Sequence, residues 1–190
     1  KFKRAGKINQ FGFSEISPVS LEKANNVHHV GAVQSEYSLS TRFPELGLLQ
    51  KTKKLETAFI AFSPVGRGLL TDKPPTPERV KESPFLKVNP RFLEPNLSEN
   101  IKAVKGFQKL AKDYGLSTAG LAIAWLIAKD EHIIPIPGTR STIHLKEMIK
   151  GTEKNLTQAD VNEIEKTLPV GWAHGDRYSD IQWIGPEKYC

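Results

Sequence analysis

Short apolar runs alternate along this chain with longer stretches whose apolar residues recur at helical spacing, and that alternation sets the expected elements. Residues 8–13, 30–34, 58–62 and 133–136 read as strands. Ser17-Pro18 supplies a cap and a first-turn proline for a helix whose stripe holds Leu21 and Ala24. Residues 43–55 read as a helix with Leu46, Leu49 and Leu55 roughly on one face. Residues 101–114 carry Ile101, Val104, Leu110, Ala111 and Tyr114 at helical spacing, and Gly115 ends that helix. Ser117 caps residues 118–129, which are apolar nearly all round and so are expected between layers. Residues 143–149 form the next helix. Thr157 and Asp160 resemble a capping box at the start of a last one, with Val161, Ile164 and Leu168 inward.

Apolar strands alternating with helices imply a parallel sheet covered by helices, an α/β fold of four βα units. The first three strands start at residues 8, 30 and 58, a spacing that suits βα repeats. Residues 69–100 break the rhythm with Pro74, Pro75, Pro77, Pro84, Pro90 and Pro95, and are expected to form a long loop over the strand ends. Residues 171–190 form a tail with little periodicity, expected to pack as an extended segment.

Composition narrows the class. The chain is 38% hydrophobic and 25% charged, ordinary for one globular domain spanning residues 1–190. No apolar run reaches the roughly 18–20 residues that span a bilayer, so no membrane association is expected. Lys1-Phe2-Lys3-Arg4 is followed by no apolar signal core, so secretion is not indicated, and the missing initiator methionine suggests a start inside a longer protein. The single cysteine, Cys190, excludes an internal disulfide and a cysteine metal cluster, and reads as a terminal thiol of a cytoplasmic protein. A net charge of +6 suits phosphate-bearing ligands, but the lysines are interspersed with acids and no nucleic-acid face is expected.

Chemistry gathers at strand ends. In residues 133–140 a β-branched run ends at Pro137-Gly138, and Thr139-Arg140-Ser141 opens a helix. Backbone N–H groups, a hydroxyl and a guanidinium would converge there on an anion. Ser14-Glu15 follows the first strand, Gln34-Ser35-Glu36-Tyr37-Ser38 the second, and Ser63-Pro64-Val65-Gly66-Arg67-Gly68 the third. In a parallel barrel these ends share one ligand-binding face. The His28-His29 doublet points its rings apart, so no metal site is expected. His174 and Asp176 have either a pairing or a turn role. Trp172, Tyr178 and Trp183 either line a substrate pocket or pack.

The set Gly12-Phe13-Ser14-Glu15, Val33 to Ser38, Ala61 to Gly68, Asn89-Pro90-Arg91-Phe92 and Pro135 to Arg140 resembles the aldo-keto reductase family in order and spacing over nearly the entire chain. The resemblance implies the C-terminal half of a (β/α)8 TIM barrel, strands five to eight, from a family that reduces aldehydes and ketones with NADP(H). It places Ser14 and Gln34 at the nicotinamide carboxamide and Phe62 against the nicotinamide ring. Ser63, Val65, Gly66 and Arg67 match the loop over the pyrophosphate, Gly138, Thr139, Arg140 and His144 the segment at the 2′-phosphate, and Glu147 a position near the adenosine.

Three positions depart from the family pattern. Glu15 stands where many relatives carry asparagine, His144 where many carry arginine or glutamine, and Met148 replaces an asparagine that bonds the adenine amine. NADP selectivity would therefore rest mainly on Arg140. The family's tyrosine acid and its supporting lysine, aspartate and histidine come from the first half of the barrel. Nothing here matches the Asp-Thr-Ala-x-x-Tyr-Gly stretch, and Asp113-Tyr114-Gly115 reads as a helix end, so no catalytic residue is assigned. The expectation is a partial NADP-dependent reductase that self-associates or pairs with a separate first half and acts on a small carbonyl substrate. The alternative is a non-catalytic nucleotide-binding or interaction protein.

Overall fold

A computed structural model describes residues 2–187 and 190; Lys1, Lys188 and Tyr189, the last two within the expected tail, lie outside the described residues. Four strands, β1 (Gly12–Ser14), β2 (Ala32–Glu36), β3 (Ala58–Phe62) and β4 (Ile133–Ile136), form one sheet in the order β1-β2-β3-β4. Every pairing is parallel. The connections are right for that: α1 (Pro18–Val27) follows β1, α2 (Leu48–Lys54) follows β2, and α6 (Thr142–Thr152) and α7 (Gln158–Thr167) follow β4. Between β3 and β4 lie α3 (Pro77–Glu82), α4 (Asn96–Asp113) and α5 (Thr118–Lys129). No helix among the described residues is long and apolar enough to cross a membrane.

Side chains alternate across the sheet, and the two faces differ sharply. Val33, Ser35, Phe59, Ala61 and Ile133 are buried on one face, beneath the helices. With Leu21, Phe107, Leu121 and Trp125 the apolar members of this face build the main core. On the other face Ile60 and Phe62 are half-buried, and Ile134 and Ile136 are exposed. That face, the interior of a closed barrel, is open.

Helix α5 lies between α6 and the sheet because glycines let the backbones approach. A Cβ on Gly151 would sit 2.2 Å from the carbonyl oxygen of Gly120. The expected caps form: Ser17 accepts from the Ser20 N–H, Ser117 from Gly120, and Thr157 and Asp160 complete a reciprocal box. Tyr114 and Gly115 end α4, with Gly115 at φ +69°.

Several boundaries shift. The expected first strand at 8–13 contracts to Gly12–Ser14, with Ile8 40% exposed, and the second moves from 30–34 to Ala32–Glu36. The expected helix at 43–55 splits into a 3-10 turn, Phe43–Leu46, and α2, because Gly47 adopts φ +146° between them. Helix α4 begins five residues early, at Asn96 rather than 101. Residues 69–100 are not a plain loop. Thr76-Pro77 caps and opens α3, 3-10 turns follow at Leu86–Val88 and Pro90–Phe92, and Leu69, Val80, Phe92 and Leu97 form a small core of their own. The tail runs as turns and bends rather than as an extended segment.

Candidate functional site

Ser14 pairs in register with Gln34, and Phe62 pairs with Glu36, so Phe62 stands one side-chain row beyond them on the open face. Ser14 is exposed; Gln34 and Phe62 are half-buried. The carboxyl ends of β1, β2 and β3 thus bring these three residues to one surface.

The chain leaves β3 through a left-handed turn. Ser63, Gly66, Arg67 and Gly68 all have positive φ, at 51°, 58°, 55° and 98°. For Ser63 and Arg67 such backbone costs about 1–2 kcal/mol each, and surrounding bonds must hold it. Gly66 N–H donates to the Ser63 carbonyl at 2.9 Å and Gly68 N–H to that of Val65 at 3.1 Å. A Cβ on Gly66 would meet Ser40 Oγ at 2.7 Å, which fixes glycine there.

Arg67 is committed inward. Its guanidinium donates to the Glu36 carboxylate and, at 2.6 Å, to the Arg177 carbonyl, and lies 4.8 Å from the centroids of both Phe85 and Tyr178.

Beyond β4 the cap is Ser141, which accepts from His144 N–H at 3.4 Å, so Thr139 and Arg140 lie ahead of α6 rather than in its first turn. Thr139 Oγ1 accepts from Ser141 N–H at 3.1 Å. Gly138, Thr139, Arg140 and His144 are exposed, Glu147 is half-buried and Met148 is buried.

The β3 and β4 loops face each other across a cleft of about 890 Å³ whose lining includes Ser63, Val65, Arg67, Gly138, Thr139, Arg140 and His144. A second lobe of about 470 Å³ shares Val65, Gly138, Thr139 and His144 and extends to Glu147 and Met148. Arg79 lines both lobes and Lys73 the second. Neither was singled out from the sequence, although Thr76-Pro77 repeats the cap signature of Ser17-Pro18 and places Arg79 in the first turn of α3. Ser14, Gln34 and Phe62 do not line this cleft; they join it through Ser63, the residue after Phe62. Gly66 is buried and lines neither lobe.

Behind the turn lies a buried charge cluster. Glu36 is held by Arg67 and by Thr41 Oγ1 at 2.9 Å, with Arg177 at 3.7 Å and Arg91 at 3.8 Å. Arg177 is fully buried, pairs with Glu15 at 2.7 Å, and gives its carbonyl to Asn89 at 2.6 Å. Glu15 is thus taken up by the tail. Burial pushes the Arg91 guanidinium down to about 10 and the Tyr178 phenol up to about 12.

The remaining tail residues divide between packing and lining. Trp172 Nε1 donates to the Leu39 carbonyl at 2.8 Å, and Trp183 Nε1 to Asp176 at 3.3 Å. Tyr178 stacks on the guanidiniums of Arg67 and Arg177. The His174 N–H is taken by Asn100 at 2.7 Å, and Asp176 accepts from Arg177 N–H at 2.6 Å. His28 Nδ1 meets the His29 carbonyl at 2.9 Å. Among the described residues no group of three or more His, Cys, Asp or Glu is placed to hold a metal ion.

A parallel βα sheet with one open face, and a cationic cleft at the carboxyl ends of its strands, defines the class: half of a βα barrel. The chain belongs to the Aldo/keto reductase family, whose model matches residues 1–169.

It is 34% identical over 178 residues to "Probable aldo-keto reductase 1" of Glycine max, covering 94% of this chain and 51% of that protein. It is 33% identical over 177 residues to aldo-keto reductase yakc of Schizosaccharomyces pombe, whose name carries NADP(+), covering 92% and 52%. The fold is shared with the glycerol dehydrogenase AKR11B4 of Gluconobacter oxydans at a TM-score of 0.74 and 23% identity, over 88% of this chain and 51% of that one. A thermostable aldo-keto reductase, Tm1743, solved with the inhibitor epalrestat, matches at 0.66 and 24% over 87% and 51%. The chain spans about half the length of the relatives it matches.

Proposed function

We propose that this chain is the cofactor-binding half of an NADP(H)-dependent aldo-keto reductase, acting on a small carbonyl substrate together with a first half that supplies the proton donor. The cleft between the 63–68 and 138–144 segments carries the reading. Arg79, Arg140 and His144 stand around it, with Lys73 in its second lobe, and the carboxylates that line it among the described residues, Asp72 and Glu147, lie in that second lobe. Such a donor set fits a polyanion.

In this reading Ser14 and Gln34 orient the nicotinamide carboxamide and Phe62 offers its face to the ring. The backbone of Ser63, Val65 and Gly66 lies along the pyrophosphate, while Arg67 holds that backbone in its left-handed turn by bonding Glu36 and Arg177. Gly138, Thr139, Arg140 and His144 take the 2′-phosphate, and Glu147 faces the adenosine. Arg79 adds a cation that compensates for the adenine hydrogen bond Met148 cannot make. Bound NADPH would supply the hydride for carbonyl reduction.

Titrating the chain into NADPH and following nicotinamide fluorescence tests the proposal. Binding is expected, and Arg140→Ala should weaken NADPH about tenfold or more while changing NADH little, since a charged hydrogen bond is worth about 1.5–3 kcal/mol. No binding at millimolar cofactor would overturn it. Carbonyl reduction is expected only after a first half from a matched relative is added.

A further inference from the structure

We infer that Arg177, in the C-terminal tail, is a positioning residue for the cofactor cleft: docking of the tail holds the 63–68 turn in its binding shape. The inference rests on the nicotinamide reading above. The turn needs such a hold, because Ser63 and Arg67 carry a positive φ that a side chain disfavours. Ser63, Val65 and Arg67 line the cleft, so a shift of the turn reshapes that wall.

The tail grips the turn through Arg67. That guanidinium donates to the Arg177 carbonyl at 2.6 Å and lies 4.8 Å from the Tyr178 ring centroid. Glu36 and Phe85 hold it from the other elements. The same Arg177 carbonyl accepts from Asn89 Nδ2 at 2.6 Å, so one tail peptide ties the turn to the 69–100 segment. The Arg177 side chain sets where that carbonyl stands. It is fully buried, pairs with Glu15 at 2.7 Å, and lies 4.8 Å from the ring centroids of Tyr178 and Trp183.

The charges balance only with the tail in place. Glu15, Glu36 and Asp176 stand among Arg67, Arg91 and Arg177, three carboxylates against three guanidiniums. Asp176 and Arg177 belong to the tail. Withdrawing Arg177 alone would strip buried Glu15 of its ion pair, which is costly. Removing both members of that pair leaves two against two.

Glu15→Gln combined with Arg177→Met therefore loosens the tail in the full chain without stranding a charge. A glutamine at position 15 can still accept from Glu36 N–H, as Glu15 does at 3.3 Å. Circular dichroism checks that the variant is folded, and nicotinamide fluorescence measures its affinity at the same temperature. NADPH and NADH should both bind about tenfold or more weakly, by the same factor, because they share the pyrophosphate. A role in stability alone would leave the affinity of the folded protein unchanged. Coupling is reciprocal, so NADPH should also slow amide hydrogen exchange at residues 172–187 of the unmodified chain about tenfold or more. Unchanged affinity of the folded variant, a loss confined to NADPH, or no slowing in the tail would each overturn the inference. The exchange result decides it even if the variant does not fold. An unmodified chain that binds no NADPH would instead overturn the nicotinamide reading, and this inference with it.

Discussion

Asp160 closes the reciprocal cap of α7 and is gripped from two sides. Its carboxylate accepts from Thr157 N–H at 2.7 Å and Thr157 Oγ1 at 2.6 Å, and from the Tyr114 hydroxyl at 2.6 Å. Bonds from Thr157 first, then from Tyr114, pull it down from 3.8 to about 2. A depressed carboxyl stabilises the fold above its unfolded value, and that contribution is lost as pH falls from about 4 through about 2. Urea midpoints measured from pH 6 to pH 2 should fall along this limb, and Asp160→Asn should flatten the part that belongs to this group. An unchanged slope would remove Asp160 from the acid response. The capping residues were legible because both partners lie within one helical turn. The direction of Arg67 was not, since its partner Arg177 is 110 residues away. Arg79 was hidden for a different reason: surrounding prolines disguised a short helix.

At the scale of elements, the glycines of α4 and α6 make opposite demands. A methyl group at Gly151 would meet the Gly120 backbone at 2.2 Å, where only a separation of α5 from α6 gives relief. Alanine gains about 1 kcal/mol of helix propensity, but overpacking backbone against backbone costs more, so Gly151→Ala should destabilise by about 2 kcal/mol. Gly106 in α4 is exposed, and its methyl would find only Thr167 Cγ2 at an ordinary 3.5 Å. There the propensity term stands alone, and Gly106→Ala should stabilise by about 0.5–1 kcal/mol. Thermal melts of the two variants check both signs. Elements marked by a dense apolar run were read correctly: β3, β4 and α5 match to the residue. Local backbone decided the misses. Leu46, Leu49 and Leu55 keep a helical stripe straight through Gly47, and only its φ of +146° reveals the break. At the first strand Ile8 is apolar, yet only Gly12–Ser14 pair with β2.

The whole molecule is shaped by what its sheet lacks. Strands β1 and β4 pair on one side only, and the face carrying Ile60, Phe62, Ile134 and Ile136 has no covering layer among the described residues. Unpaired strand edges recruit other strands, and an open apolar face adds a driving force of about 25 cal/mol per Å² covered. Four parallel strands are half of the eight that close such a barrel, and the matched relatives are about twice as long as this chain. We therefore expect the 21.2 kDa chain alone to self-associate, with an elution volume in size-exclusion chromatography that depends on concentration. Adding a first half from a matched relative should replace that mixture with one stoichiometric complex. Ile136→Glu, on the open face and 43% exposed, should weaken both associations while leaving the helix-covered core intact, as judged by circular dichroism. A concentration-independent, well-folded monomer would show that this half-barrel is stable with its edges free, and the need for a second half would then rest on the missing proton donor alone.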